Sequence, residues 1–526
     1  MKIEVVIDNN YLIRLSQKLI VLRMSANSSE SSTLTSTTNS TMPSPITPTT
    51  VVNRDTLLRK AKDIFIPVHK TIELSFMATL FMGTKYFQRL AKLKQLGTCN
   101  YIYPGAVHTR FEHSVGVYYL AGKLVDRIRQ ISNIEQLHTY LEKVPELQTY
   151  YEEYGNYHPY SDTDGIGLSP WVAELVKIAG LMHDVGHGPY SHVFDDAFIE
   201  KSEYASHPMA KHEARSGQII KLIVKESPIL SKLMSDDDVR FIQQLIDPDK
   251  ERNGFIYQIV SNTLNGLDVD KYDYLVRDVH HLGLGTAFDH MRLIENVLVI
   301  DDRIAFPEQS KQDIYNLFLT RHSMHRTVYG HKGVVSAQYI VTEVMSLLDR
   351  VIKIGESIDD FDRFVKMTDE YIHQYAEIIL ENRDMYISSE TYTEEELDHL
   401  QELMDRLNTH NLYPHIGTIM SEDKIDIGDS FSGPDYLIYS TKVGYVSGNK
   451  GNPLDSIYVY HTKDTLFHNY ERDGEIKSRK IAKSDITNLI PENHQEYVLM
   501  IFRRDRNPIE LKNDKKMFDI IRTEIG

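Results

Sequence analysis

Residues 169–192 constrain the fold more than any other stretch of the chain. Ser169-Pro170 is a helix start, and Val172, Leu175, Val176, Ala179 and Met182 recur at helical spacing, forming an apolar stripe that must face a core. His183 falls next on that stripe, followed by Asp184 and then by Val185-Gly186-His187-Gly188-Pro189-Tyr190-Ser191-His192. The sequence thus drives imidazoles and a carboxylate toward an apolar interior at a helix end. Such burial is costly unless a cation or a phosphate compensates.

Two further segments repeat the pattern. In 110–128 the stripe of Val117, Leu120, Ala121, Leu124 and Ile128 runs back one turn to His113, so this histidine also faces inward. In 270–282, Asp270, Asp273, Tyr274, Arg277, Asp278 and His281 share one helical face, and Leu275, Val279 and Leu282 share the opposite one. A polar face this dense is expected to line solvent or a site. Singly, each feature has an ordinary reading, since a lone inward histidine is usually a satisfied core residue and a charged helix face is usually solvated. Together they supply His113, His183, Asp184 and Asp270, a mixed imidazole and carboxylate set suited to Zn, Fe, Mn or Mg with positions left for water. Cys99 is the single cysteine, so a cysteine zinc site and an intrachain disulfide are excluded and a reduced, intracellular protein is expected.

At 526 residues the chain is expected to hold a large core and an appendage. Residues 25–50 are nearly all Ser, Thr, Asn and Pro, so 1–52 reads as a disordered tail in which the sequons at Asn27 and Asn39 are products of composition. Residues 53–410 carry helical periodicity, interrupted at about 130–168 by a tyrosine-rich, acidic stretch that reads as a surface insertion. From 411 to 526, β-branched and aromatic runs at 436–446, 456–461 and 497–503 predict a smaller α+β lobe with an oligomerisation or regulatory role. The expected class is mainly α, a helical core with that lobe attached. Residues 1–23 lack the basic start and apolar run of a secretory signal, and no stretch of ~18 apolar residues predicts a membrane span. Against 58 Lys and Arg stand 75 Asp and Glu, a net charge of −17 that argues against a surface built to hold nucleic acid. The basic stretch 89–94 is the local candidate for a single-stranded nucleic acid.

The motifs HTRFEHS at His113, GLMHDVGHGPYSH at His183-Asp184 and NGLDVDKYDY at Asp270 resemble the metal-ligand motifs of the HD-domain phosphohydrolases. The runs FQRLAKLKQLG, YPGAVHTRFEHSVGVYYLAGKL, IVSNTLNGLDVDKYDYLVRD, HHLGL and RHSMHRTVYGHK are similar to the deoxynucleoside triphosphate triphosphohydrolases that join an HD domain to a sterile-alpha-motif domain in animals. The resemblance runs from about Lys62 into the C-terminal lobe. No counterpart of the sterile-alpha-motif domain is expected in the short, polar residues 1–50. It implies hydrolysis of a dNTP to a deoxynucleoside and inorganic triphosphate by attack at the α-phosphorus. By the same resemblance His113, His183, Asp184 and Asp270 are the metal ligands, His187 contacts the α-phosphate, His192 sits near the departing 5′-oxygen, and His212 pairs with Asp195. Arg110, Lys271 and Arg321 match phosphate-binding positions. Gln95 and Asp278 match those that bind the 3′-hydroxyl, Leu96 and Tyr329 those that leave no room for a 2′-hydroxyl, and Tyr274 and His325 complete the nucleoside wall.

Regulation is where the match departs. Animal members bind a guanine nucleotide and a dNTP between subunits of an active tetramer. Lys62, Gln88, His331 and Lys332 match that allosteric region, but Gly83 and Ala91 stand where the guanine site has an acid and an arginine. Phe65 replaces an asparagine, and Pro307, Gln309, His410 and Pro414 fall where basic residues are placed. The resemblance therefore implies a homo-oligomer, dimer or tetramer, that is either constitutively active or controlled by a different activating nucleotide, and it implies residence in the nucleus. Two other readings are an HD phosphodiesterase or pyrophosphohydrolase acting on a cyclic or ribonucleotide substrate, and a scaffold with a vestigial site that binds nucleic acid.

Overall fold

Ser169 caps the helix Pro170–Met182: its hydroxyl accepts from the Val172 N–H, and Pro170 sits where no N–H is needed. In the computed structural model, which describes residues 5–7, 50–154, 166–285, 288–428, 430–445, 452–462, 476–486 and 495–525, every residue of this helix except Pro170 at its start and Lys177 is buried. A helix apolar all round belongs to the centre of a core. It packs along the helix Arg110–Ile131, whose buried face includes His113, Val117, Leu120, Ala121, Leu124 and Ile128 as the periodicity predicts.

A third helix, Val269–His281, closes on the other side of the His113 helix at Gly116. A Cβ on Gly116 would overlap Asp273 Oδ1 and Arg277 Nη2, so the contact requires glycine. The polar face foreseen on this helix is not solvated: Asp273, Arg277 and Asp278 are each no more than 1% exposed. Arg277 is paired with Asp273 through Nε (2.7 Å) and Nη2 (2.8 Å). Gly116→Ala is expected to destabilise the protein by about 3 kcal/mol, because the methyl group separates a buried ion pair that has no water to fall back on. Chemical denaturation of the variant checks this, and an unchanged midpoint would contradict the packing.

Strands β1 (Val5–Ile7) and β2 (Thr50–Val52) pair antiparallel, with Val5 opposite Val52. Both ends of the expected N-terminal tail are therefore held in a ladder, and Val52 is buried. The Ser/Thr-rich stretch and its sequons lie outside the described residues. Next, β3 (Lys60–Ile66) and β4 (Lys70–Ser75) form a hairpin. Then come β5 (Leu298–Ile300), β6 (Arg303–Pro307), β7 (His415–Ser421), β8 (Tyr436–Gly444), β9 (Tyr458–Tyr460), β10 (Ser478–Lys480) and β11 (Gln495–Arg503). They make a sheet of order β10-β9-β6-β5 and another of order β7-β11-β8.

The architecture is mainly α, as expected, but its internal boundaries differ from the sequence reading. β6 runs parallel to β9, Ala305 facing Tyr458, so one sheet takes strands from both sides of residue 411. Leu437, Val443, Val459 and Phe502 belong to the same continuous core as the helices, and Ile416, Ile419, Ile501 and Phe518 form a smaller separate cluster. The C-terminal region is docked on the helical core over a shared interior. The expected surface insertion is also partly interior: helices Ile134–Leu141 and Gln148–Tyr154 bury Leu137, Leu141 and Tyr151, and the Tyr151 hydroxyl donates to the Gly167 carbonyl. Residues 155–165 lie outside the description. Among the described residues no helix is long and apolar enough to cross a membrane.

Candidate metal centre and nucleotide cleft

His113 lies one turn into its helix, His183 caps the end of Pro170–Met182 with Asp184 following, and Asp270 is in the first turn of Val269–His281. The three helices bring these groups to one point. His113 Nε2 is 3.2 Å from His183 Nε2, 3.1 Å from Asp270 Oδ1 and 3.5 Å from Asp184 Oδ2. His183 Nε2 is 3.4 Å from Asp270 Oδ1 and 3.3 Å from Asp184 Oδ1. Bonds of ~2.1 Å from one cation set neighbouring ligand atoms about 3.0–3.4 Å apart, which the His113, His183 and Asp270 atoms match, while Asp184 turns a different oxygen to each histidine.

The imidazole tautomers give an independent test of fit. His183 Nδ1 donates to the Gly180 carbonyl (2.8 Å) and His113 Nδ1 to Asp273 Oδ2 (2.8 Å). In the neutral rings both Nε2 atoms then present lone pairs to each other and to two carboxylates. That arrangement repels itself unless positive charge sits among the atoms. Burial works against a charged His113, yet Asp270 and Asp273 pull its pKa up to about 10. Burial likewise opposes ionisation of Asp270, and the two imidazoles outweigh it, holding the carboxyl well below its usual range. The donor set fits a divalent cation.

Beside it stands a second histidine group. His187, buried, reaches Asp184 Oδ1 with Nε2 at 3.3 Å and stacks on His212 with ring centroids 3.7 Å apart. The His192 ring lies 4.9 Å from His187 and 5.6 Å from His212, its side chain 64% exposed at the mouth of the site. Asp195 Oδ2 accepts from both the backbone N–H and Nδ1 of His212, each at 2.9 Å, which fixes the ring. Its other oxygen is held by Arg215. Burial alone would favour the neutral imidazole, but the Asp195 hydrogen bond and then the charge of Glu213 raise the His212 pKa. The loop carrying these residues is strained: Tyr190 and Ser191 have φ of 58° and 62°. Asp369 holds the Tyr190 N–H (2.7 Å), and Ser191 Oγ donates to the Lys94 carbonyl (2.7 Å).

The residues matched to phosphate and sugar lie around these groups. Arg110 donates to Asp184 Oδ2 (2.5 Å) and to Ser191 Oγ (2.8 Å). Lys271 is tied to Asp268 (2.9 Å) and Arg321 to the Gly444 carbonyl (2.5 Å), so the C-terminal sheet helps to position a residue of the helical core. His325 is pushed well below its usual pKa by burial and by the charges of Arg321 and His192, and it packs 4.9 Å from the Tyr329 ring. Asp278 accepts from the Tyr329 hydroxyl (2.6 Å) and pairs with His108 (2.8 Å). Gln95, also buried, has an Oε1 with no hydrogen-bond partner among the described residues. Tyr274 and Leu96 are half-buried against the core.

The regulatory positions lie on separate elements. Lys62 is exposed on β3, Gln88 donates to the Met82 carbonyl (2.8 Å), and His331 caps the helix that begins at Lys332. Gly83 and Ala91 are exposed, and Phe65 is 72% exposed. In the basic stretch 89–94, Arg89 is buried against the His187 and Phe364 carbonyls, Lys92 is exposed and Lys94 is half-buried. Sequence reasoning also missed His108, His69 and Arg215, and it left Asp273 without a role. The available signal for Asp273 was its place one turn after Asp270, a carboxylate on the ligand's own face.

Helices that present His, His-Asp and Asp to one buried point define an HD domain, and the HD-domain family signature matches residues 110–275. The chain is 34% identical to a putative HD domain-containing protein of Acanthamoeba polyphaga mimivirus, over 84% of this chain and 92% of that one. It is 30% identical to the deoxynucleoside triphosphate triphosphohydrolase SAMHD1 homolog of Dictyostelium discoideum, over 86% and 79%, and 29% identical to the Homo sapiens SAMHD1 enzyme, over 83% and 69%. The chain belongs to the family of SAMHD1-like HD-domain deoxynucleoside triphosphate triphosphohydrolases.

Proposed function

We propose that the protein is a metal-dependent hydrolase that converts a dNTP and water to a deoxynucleoside and inorganic triphosphate, with attack at the α-phosphorus. The observation that carries this reading is the convergence of His113, His183, Asp184 and Asp270, with the Asp278–Tyr329 hydrogen bond and the unpartnered Gln95 Oε1 as the groups that would meet a sugar. The four residues would hold the cation. When bound there, a divalent ion supplies charge that acidifies a water and offsets the α-phosphate. Arg110, Lys271 and Arg321 would neutralise the triphosphate, the guanidinium forks being suited to phosphate oxygens. His187 would donate to the α-phosphate. His192 would deliver a proton to the departing 5′-oxygen, with His212 held by Asp195 as the adjoining charged imidazole.

At the sugar, Gln95 Oε1 and the Asp278 carboxylate would accept from the 3′-hydroxyl, and Leu96 and the Tyr329 ring would fill the space of a 2′-hydroxyl. Tyr274 and His325 would flank the nucleoside. Guanine control is a separate matter. Gly83 and Ala91 offer neither a carboxylate nor a guanidinium to a guanine edge, so activity should not require GTP even in an assembled homo-oligomer.

The test is incubation of the purified protein with each of the four dNTPs and Mn or Mg, with and without GTP, with products separated by ion-exchange chromatography. Deoxynucleoside and triphosphate formed without GTP is the expected result. The same products only with GTP would overturn the loss of guanine control. Nucleoside monophosphate and pyrophosphate would point to the pyrophosphohydrolase reading instead.

A further inference from the structure

The turn of the β3–β4 hairpin reaches into the core. His69, with a side chain only 3% exposed, places Nε2 2.6 Å from Asp273 Oδ1. An ionised carboxylate accepts, so the ring donates. The other oxygen of Asp273 accepts from His113 Nδ1 at 2.8 Å, and Arg277 donates to both. Next to His69, the Pro67 carbonyl lies 3.4 Å from Arg277 Nη1. The rings of Tyr119 and His290 pack on His69 with centroids at 5.1 and 5.7 Å.

The backbone on either side of His69 is strained. Val68 has φ of 74° and Lys70 of 62°, left-handed values that a β-branched residue and a lysine adopt only when their surroundings enforce them. Ile66, Ile72, Leu74 and Ser75 of the hairpin are buried while most of its other residues are exposed, and among the described residues β3 and β4 pair only with each other. Beside the buried Ile66 and Ile72, the turn itself is held by the contacts of His69 and Pro67 with Asp273, Arg277 and the packed rings.

We infer that His69 is a positioning residue of the metal centre: through Asp273 it fixes the ring of His113, so the hairpin turn is a built part of the cation site. Asp273 Oδ1 accepts from His69 and Arg277 and Oδ2 from His113 and Arg277, so without the His69 donor Oδ1 is held by Arg277 alone and the carboxylate fixes the His113 ring less firmly. Partners at this remove from a metal typically change its affinity ~10–100-fold when lost. This inference rests on the reading of His113 as a ligand.

The experiment compares wild type with His69→Phe, which keeps a ring against Tyr119 and His290 but cannot donate, and His69→Gln, whose amide nitrogen can replace Nε2. Mn²⁺ affinity is measured by isothermal titration on chelator-stripped protein, with a thermal melt of each variant in chelator. The expected result is Mn²⁺ binding at least ~10-fold weaker in His69→Phe and restored to within ~3-fold of wild type in His69→Gln, at similar metal-free melting temperatures. If His69→Phe fails to fold, His69→Gln carries the test, because Mn²⁺ binding by it ~10-fold weaker than wild type would overturn the donor role. Equal Mn²⁺ affinity in wild type and His69→Phe overturns the inference alone. A wild type that binds no Mn²⁺ overturns the ligand assignment and this inference with it.

Discussion

Asp184→Ala is expected to lose dNTP hydrolysis by about 10³-fold or more and to lose tight binding of a divalent metal. Asp184 presents one oxygen to His183 and His187, while the other receives Arg110 and faces His113. Several kcal/mol of transition-state stabilisation depend on the cation it would help to hold, and each 1.4 kcal/mol is about tenfold in rate. The variant also leaves the Arg110 guanidinium buried without its carboxylate, which destabilises the fold on its own account. Asp184→Asn separates the two effects, since the amide keeps an acceptor for Arg110 but removes the anionic charge. Elemental analysis of the purified variants beside their kcat/KM is the check. A variant that retains stoichiometric metal and near-normal turnover would remove Asp184 from the centre.

Asp195→Asn should lower kcat by about 10²–10⁴-fold and move the alkaline limb of the pH–rate profile to lower pH. His212 faces Asp195, Glu213 and Asp184, which favour its charged form, and His187 and His192 on the other sides. Burial opposes the charge, and the Asp195 hydrogen bond tips the balance. Without that carboxylate the burial penalty prevails and the imidazole deprotonates at lower pH, so a reaction that needs it charged fails sooner as pH rises. Stability carries the opposite dependence at the acid end. Burial tends to raise the Asp195 pKa, but His212 and Arg215 bring it down to about 2. Its stabilising contribution is thus present above ~4, the unfolded value, and fades as pH falls toward 2 in wild type but not in Asp195→Asn. Rate profiles and melts across pH check both signs. Identical alkaline limbs in the two proteins would leave His212 without a protonation role.

The inward aim of His113 and His183 was legible because helical periodicity is local. An apolar stripe that ends in His183 or begins at His113 aims the ring inward whatever else the chain does, and a Ser-Pro cap fixes where the stripe starts. The pairing of His212 with Asp195, 17 residues apart, came from resemblance and meets in the structure at 2.9 Å.

The sequence by itself determined that the fold is mainly helical and that His113 and His183 turn inward, since both follow from spacing along single helices; the other site positions came from resemblance. Only the tertiary structure decided what holds them. Asp273 reads as part of a solvated face until His113, 160 residues away, and His69, 204 away, are brought onto its two oxygens. The C-terminal boundary dissolved for the same reason: β9 pairs with β6, and Gly444 receives Arg321 across 123 residues. A buried carboxylate or a sheet edge must be satisfied by some partner, but periodicity cannot say which distant segment supplies it.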